Sequence, residues 1–493
     1  MLLSSARLLS VFIGVLTFDF LFWEEKMGFN TFIFSVLYLT ALWLLFPDGR
    51  RSAGFWITAG GTLLTAGLVV WHNSGAAKLA HLLSAMCAAG FAQESTLRFV
   101  LYALGQYCRG WWQAPGHLLT ALQTGSGIGA KSRRRLGRTV YTALLPLVVV
   151  SIFYGLYYFA NEQFAALADA FWQQVGSLLR FDISIGHLLF IIFGFFLIGA
   201  AFWHNTSKLA TADQMKSDAL LRIRPPRTGK FLKPPAMLGL RQEYRQSLLL
   251  LVLLNVLLLT VNITDARYVW FGFDGAAPQN LKIYVHRGTY FLIASILLAM
   301  GVLFYIFRKN LHFFPNNRAL RTAALLWLIQ NAVLAFSVGI RNWRYIDFHG
   351  LAYKRIGVAL FLALVFFGLV TLWLKISRQR TMAWLWRQNG WALYLLLVGN
   401  ALLNWDVLIT RYNLSGRPKA TIDVHYLLYT VSDKNLYLLE EHAGVLAQKA
   451  MYPQLTEEGI ASAIEQKRIR FDAGQPLLSW KSWNLADARN VRQ

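Results

Sequence analysis

The chain alternates long apolar runs with short polar breaks. The runs cover residues 8–23, 28–46, 53–71, 76–92, 139–160, 183–203, 246–264, 288–306, 322–340, 356–374 and 390–405. A helix needs about 17 to 25 apolar residues to cross ~30 Å of hydrocarbon, and only a backbone that satisfies its own hydrogen bonds survives there. The pattern therefore predicts an all-α fold, a polytopic transmembrane helical bundle of about 11 helices followed by a small, mostly helical, soluble carboxy-terminal tail. Residues 1–203 hold about six crossings and a basic interfacial or cytoplasmic segment at 93–138. A basic, proline-containing linker fills 204–245, about five crossings fill 246–405, and the tail runs over 406–493.

Loop charge orients the bundle. With the amino terminus in the cytoplasm, the inner loops and Arg7 hold 27 Lys/Arg against 10 in the opposite loops and adjoining helix ends. The positive-inside rule favours that threading, and an odd number of crossings leaves the tail from Asp406 outside. Glu24 and Glu25 stand where small residues would precede a signal-peptidase cut, so the first run reads as an uncleaved crossing. In the tail, Ser432-Asp433-Lys434 and Thr456-Glu457-Glu458 are start signals for helices reaching about Lys449 and Arg470.

Composition agrees. The chain of 493 residues is 56% hydrophobic and 15% charged, with a mean hydropathy of +0.42. Its net charge of +24 comes from the membrane part, since the tail holds 11 Lys/Arg and 10 Asp/Glu. Basic inner loops explain that excess, so the lipid bilayer is the expected partner and nucleic acid is not. Two cysteines, Cys87 and Cys108, outline no disulfide framework.

Sequence motifs for chemistry are sparse. Gly125 to Ser132 resembles a phosphate-binding loop, but Ala130 precedes Lys131, no strand leads in, and Arg133-Arg134-Arg135 follows. The ten histidines lack the spacing of a metal site; no metal, no cofactor and no catalytic residue is assigned. Asp19 lies near the outer end of the first run with Glu24 and Glu25 just beyond it, and Asp19, Glu24 or Asp406 is the carboxylate a membrane-embedded transferase acting at the outer face could use.

The strongest candidate lies on the outer face, against the charge rule. It gathers His286 and Arg287; Arg341, Asn342, Arg344, Tyr345, Tyr353, Lys354 and Arg355; and Asp406, Arg411, Tyr412 and Asn413. Arginine forks suit carboxylate or phosphate, and tyrosine and asparagine add directional hydrogen bonds, so the set matches an anionic lipid headgroup or acidic small ligand. In the alternative, Asp347 and Asp406 pair with the arginines and lock the helix ends. Arg341→Ala with Arg344→Ala separates the two: a ligand site predicts unchanged abundance, a lock predicts its collapse.

Several of these residues stand in longer strings. They are His286-Arg287-Gly288-Thr289-Tyr290, Arg341-Asn342, Gly350-Leu351-Ala352-Tyr353-Lys354-Arg355-Ile356-Gly357-Val358, Trp405-Asp406 with Arg411-Tyr412-Asn413-Leu414, and Ile422-Asp423 before Tyr426-Leu427-Leu428. Over about residues 246–440 the chain resembles a bacterial family of multi-pass membrane proteins defined by a domain of unknown function, of the 4173/4153 type. The resemblance implies a bacterial cytoplasmic (inner) membrane protein and no reaction or ligand. Three functions stay open: an anion-binding or scaffolding protein, a transporter or lipid-moving protein, and a transferase acting at the outer face.

Overall fold

The computed structural model describes residues 2–125, 150, 153–155, 157–158, 160–179, 184–204, 213, 218, 236–271, 278–307, 310–418, 422–448, 456–474 and 479–491. Among them the fold is all-helical, in two compact units.

The first unit comprises Met1–Asn73, Lys78–Asp213 and Leu478–Asn484. Its helices are α1 (Leu2–Phe22), α2 (Phe29–Leu45), α3 (Ala53–His72), α4 (Gly75–Gln93), α5 (Val100–Gly125), α6 (Glu162–Leu179) and α7 (Ile185–Phe202). Side chains mark the helix starts: Ser52 Oγ accepts from the Phe55 amide and Ser184 Oγ from the His187 amide. Asn73, in the left-handed region at φ 49°, ends α3. Its side chain donates to the Met27 carbonyl at 2.9 Å, so the α1–α2 and α3–α4 turns share one end of the unit. Small residues let backbones meet, as lipid-embedded helices require. A Cβ on Gly90 would lie 2.0 Å from the Ala103 carbonyl oxygen of α5.

The same end carries a strap from the tail. The Phe29 amide donates to the Trp483 carbonyl at 2.9 Å and the Lys26 amide to Ser482 Oγ at 2.8 Å. Glu25 accepts from the Ser479 and Ser482 hydroxyls, and those bonds with the nearby Lys481 outweigh burial and hold its carboxyl below the usual range.

The second unit comprises Ser74–Ala77, Gln214–Leu477 and Leu485–Gln493. Its long helices are α8 (Ala236–Asp265), continued by a π turn at Ala266–Phe271, α9 (Pro278–Ile306), α10 (Arg318–His349), α11 (Tyr353–Ser377), α12 (Met382–Ala401) and α13 (Trp405–Leu414). The tail adds α14 (Leu436–Glu441), α15 (Ala443–Gln448), α16 (Glu457–Ala473) and α17 (Leu485–Ala488). Helix α10 packs against α8, α9 and α11 around a core that includes Leu303, Trp327, Leu328 and Leu372. A second core joins the tail, through Leu427, Leu436 and Phe471, to Ile356 and Ile409 at the same end as the α10–α11 turn. Lys467 is buried there and donates to the Val431 carbonyl and to Asn435 Oδ1, both at 2.9 Å.

Among the described residues, five helices are long and apolar enough to cross a membrane: Ala53–His72, Gly75–Gln93, Arg241–Phe271, Arg318–His349 and Tyr353–Ser377. A sixth results if α12 and α13, bent by 61° at their junction, form one span. Phe29–Leu45, Gly186–Phe202 and Phe291–Ile306 are shorter apolar helices. Only 17% of the α8 span is buried, and Leu249, Leu253, Val256 and Leu257 point outward from it, as they would toward lipid. The apolar run at 139–160, the motif at 125–132 and the linker at 204–245 fall largely outside the described residues.

Candidate functional site

Three elements of the second unit make a cleft of about 470 Å³: the end of α10, the turn into α11, and the tail where its π turn (Tyr426–Thr430) begins. Helix α10 stops because Gly350 takes φ 80°, ψ −172°, a conformation open to glycine and costly for any side chain. Asn413 of α13 then clamps the turn from below. Its Oδ1 accepts from the Leu351 amide at 2.6 Å, and its Nδ2 donates to the Leu351 carbonyl at 3.0 Å. Asn342 Nδ2 ties α10 to α11 through the Arg355 carbonyl at 3.0 Å.

Arg355 is the cleft's central cation. Its Nη1 donates to the carbonyls of His349, at 2.9 Å, and Gly350, closing the last turn of α10, while the guanidinium lies 4.4 Å from the centre of the Tyr345 ring. Lys354 is exposed at the cleft wall beside it.

Opposite stands Tyr426. Asp423 Oδ1 accepts from the Tyr426 amide at 2.9 Å and so starts the π turn; the Tyr426 hydroxyl oxygen accepts from the Tyr353 amide at 3.0 Å. Burial pushes the Tyr426 phenol up, as do the charges of Asp406 and Asp423, so it keeps its proton at neutral pH. That proton has no acceptor among the described residues. Behind the cleft, Asp406 receives the Tyr353 hydroxyl at 2.7 Å and the Ser432 hydroxyl at 2.5 Å.

Six of the residues singled out from the sequence thus meet at this cleft: Asn342, Tyr345, Tyr353, Lys354, Arg355 and Asn413. Asp406 braces Tyr353. Arg411 and Tyr412 line a neighbouring shallow depression with Trp405, Leu408 and Arg417. Arg341 turns elsewhere: its Nη2 pairs with buried Asp265 at 2.6 Å, and Ser337 donates to the other oxygen of that carboxylate at 2.5 Å. Arg344 donates to the Trp270 carbonyl at 3.0 Å. The expected arginine partners differ accordingly, with Asp265 rather than Asp406 holding Arg341. His286 and Arg287 belong to α9, but their side chains lie outside the described residues.

The profile of one family, described as a domain of unknown function (DUF4153), matches residues 34–442. The chain belongs to this family. Membership of DUF4153 extends through the amino-terminal helices, well beyond the strings at 246–440 that suggested it. No curated protein and no solved structure matches the chain.

Sequence reasoning passed over four cleft residues, His349, Asp423, Tyr426 and Thr430, and the buried Asp265. Asp423 and Tyr426 stood in the family strings; Asp265 carries no local pattern, because its partner lies 76 positions away. Two carboxylates at the carboxy-terminal end of α1 have structural partners. Asp19 lies 2.8 Å from His187 Nε2, over which Trp23 stacks, and Glu25 holds the strap. Among the described residues, no three His, Cys, Asp or Glu side chains group to hold a metal ion.

Proposed function

We propose that this is a multi-pass protein of the bacterial cytoplasmic membrane whose cleft lies at the outer face and binds an anionic lipid headgroup or acidic small ligand, without chemistry of its own. The observation that carries the reading is the Tyr426 phenol proton, without an acceptor among the described residues, in a cleft with a half-buried arginine and an exposed lysine. Phosphate or carboxylate oxygens accept from all three, and charge-assisted bonds of this kind are the strong ones. Binding requires neither a nucleophile nor a base, and nucleic acid plays no part.

The threading of about eleven crossings, amino terminus inside and tail outside, has its own support. Segments on one face of a membrane are separated by an even number of crossings. The strap at residues 479–484 touches the α1–α2 turn, and ten of the eleven sequence runs lie between them. An impermeant thiol reagent checks the sidedness: Glu458→Cys in a Cys108→Ala background reacts in intact spheroplasts on this reading, and protection there refutes it.

Ligand binding is measured on the full-length protein in detergent micelles, with labelled glycerol 3-phosphate as the probe. Lys354→Ala with Tyr426→Phe lowers affinity by about 10- to 100-fold, at about 1.4 kcal/mol per tenfold step. Equal affinity in the variant removes the cleft as the binding site. The 61° break between α12 and α13 favours a second reading, transport, since interrupted helices build transporter sites. Probe accumulation in proteoliposomes would select it.

A further inference from the structure

The first unit holds a cavity of about 330 Å³ that the anion-binding reading does not use. Phe18, Phe22, Phe34, Phe190, Phe193 and Leu197 form much of its wall. Four polar wall residues are turned inward to carbonyls: Tyr38 to Ala85, Ser35 to Thr31, Thr62 to Thr58 and Tyr107 to Leu197. Glu25, at the rim, is engaged by the Ser479 and Ser482 hydroxyls, and what remains is an apolar surface with one interruption.

That interruption is His81, which is 5% exposed. Its Nδ1 lies 3.3 Å from the Thr62 carbonyl oxygen. A carbonyl only accepts, so Nδ1 carries the proton and Nε2 of the neutral ring keeps a lone pair. Among the described residues no group donates to Nε2, and the ring lines the cavity. An ionisable side chain inside a membrane bundle, with one ring atom left to a cavity, is a binding feature rather than a packing one.

The cavity's lining extends along the helices. Glu25 and Phe22 mark one end, at the α1–α2 turn. Helix α7 starts at that end, as the His187–Asp19 pair shows, and Leu197 lies twelve residues into it, about 18 Å along. His81 stands six residues into α4, about 9 Å from the same end.

We propose that this cavity takes an alkyl chain that carries a hydroxyl partway along it, the hydroxyl donating to His81 Nε2. A plain chain would cover the lone pair without replacing the hydrogen bond water gives it, so the hydroxylated chain binds more tightly.

The test uses full-length protein in micelles and a diazirine-bearing hexadecanoate as photoprobe, with the labelled peptides mapped by mass spectrometry. Label is expected on cavity-lining peptides of α2, α4 and α7. As competitor, 10-hydroxyoctadecanoate should protect at about tenfold lower concentration than octadecanoate. His81→Leu should erase that difference, His81→Gln should retain part of it, and Ala85→Phe should fill the cavity and abolish the label. Equal competition by the two chains in the wild-type protein overturns the proposal, and this comparison needs no variant to fold. Label that avoids the lining peptides, or that persists in a folded Ala85→Phe protein, overturns it as well.

Discussion

Replacing Gly350 with alanine tests how the cleft is built. The new Cβ would sit 2.1 Å from Asn413 Oδ1, and the backbone at φ 80°, ψ −172° is costly for alanine by about 1–3 kcal/mol. Asn413 cannot stay, so the Leu351 amide and carbonyl lose their partner, which costs about 1–3 kcal/mol for a partly buried pair. Together these give a destabilisation of about 2–6 kcal/mol. Unfolding of the full-length protein by SDS titration measures it, with Asn413→Ala and the double variant completing a cycle. Asn413→Ala alone loses only the clamp, about 2 kcal/mol. Because Gly350→Ala already displaces the clamp, the double variant falls short of the sum by about 1–2 kcal/mol. Strict additivity, or a Gly350→Ala protein within about 0.5 kcal/mol of wild type, refutes the reasoning. Ligand affinity should fall with stability, since the Gly350 carbonyl helps hold Arg355.

Arg341→Ala strands the buried Asp265 carboxylate and should cost about 3–5 kcal/mol, seen as lost abundance of folded protein, whereas Arg341→Met with Asp265→Leu recovers most of it. Burial lowers Lys467 from 10.5 to about 8, so the unfolded tail binds more protons between those values and tail stability rises with pH across that window, by at most about 3 kcal/mol. The slope should vanish in Lys467→Met, as read by melting of the tail between pH 8 and 10. Gly28→Ala drives a Cβ to 2.4 Å from the Ser482 carbonyl oxygen, so it should loosen the strap and speed proteolytic cleavage near residues 474–484; an unchanged cleavage rate counts against the contact.

Much of the helical frame was legible because lipid-facing helices announce themselves locally. Every apolar run except 139–160 coincides with a described helix, since each needs only its own residues to be apolar and to close its own hydrogen bonds. Tail helix starts were readable for the same reason: the Thr456 hydroxyl accepts from the amide three residues on, at 3.2 Å. The site was legible in part. Tyr353, Lys354 and Arg355 are neighbours in sequence and remain neighbours around the cleft, but Arg341, which stands in the same basic stretch, faces away on the helix and meets α8 instead.

Sequence alone determined the all-helical class, the apolar helices fit for a membrane, and family membership through ordered strings of residues. Only the tertiary structure decided which of many cations face a ligand and which are spent on the fold. That choice depends on partners such as Asp265, Tyr426 and His187, which lie tens to hundreds of positions from the groups they meet. Helix formation is a property of adjacent residues, whereas pairing depends on helix rotation and packing, which no local pattern encodes.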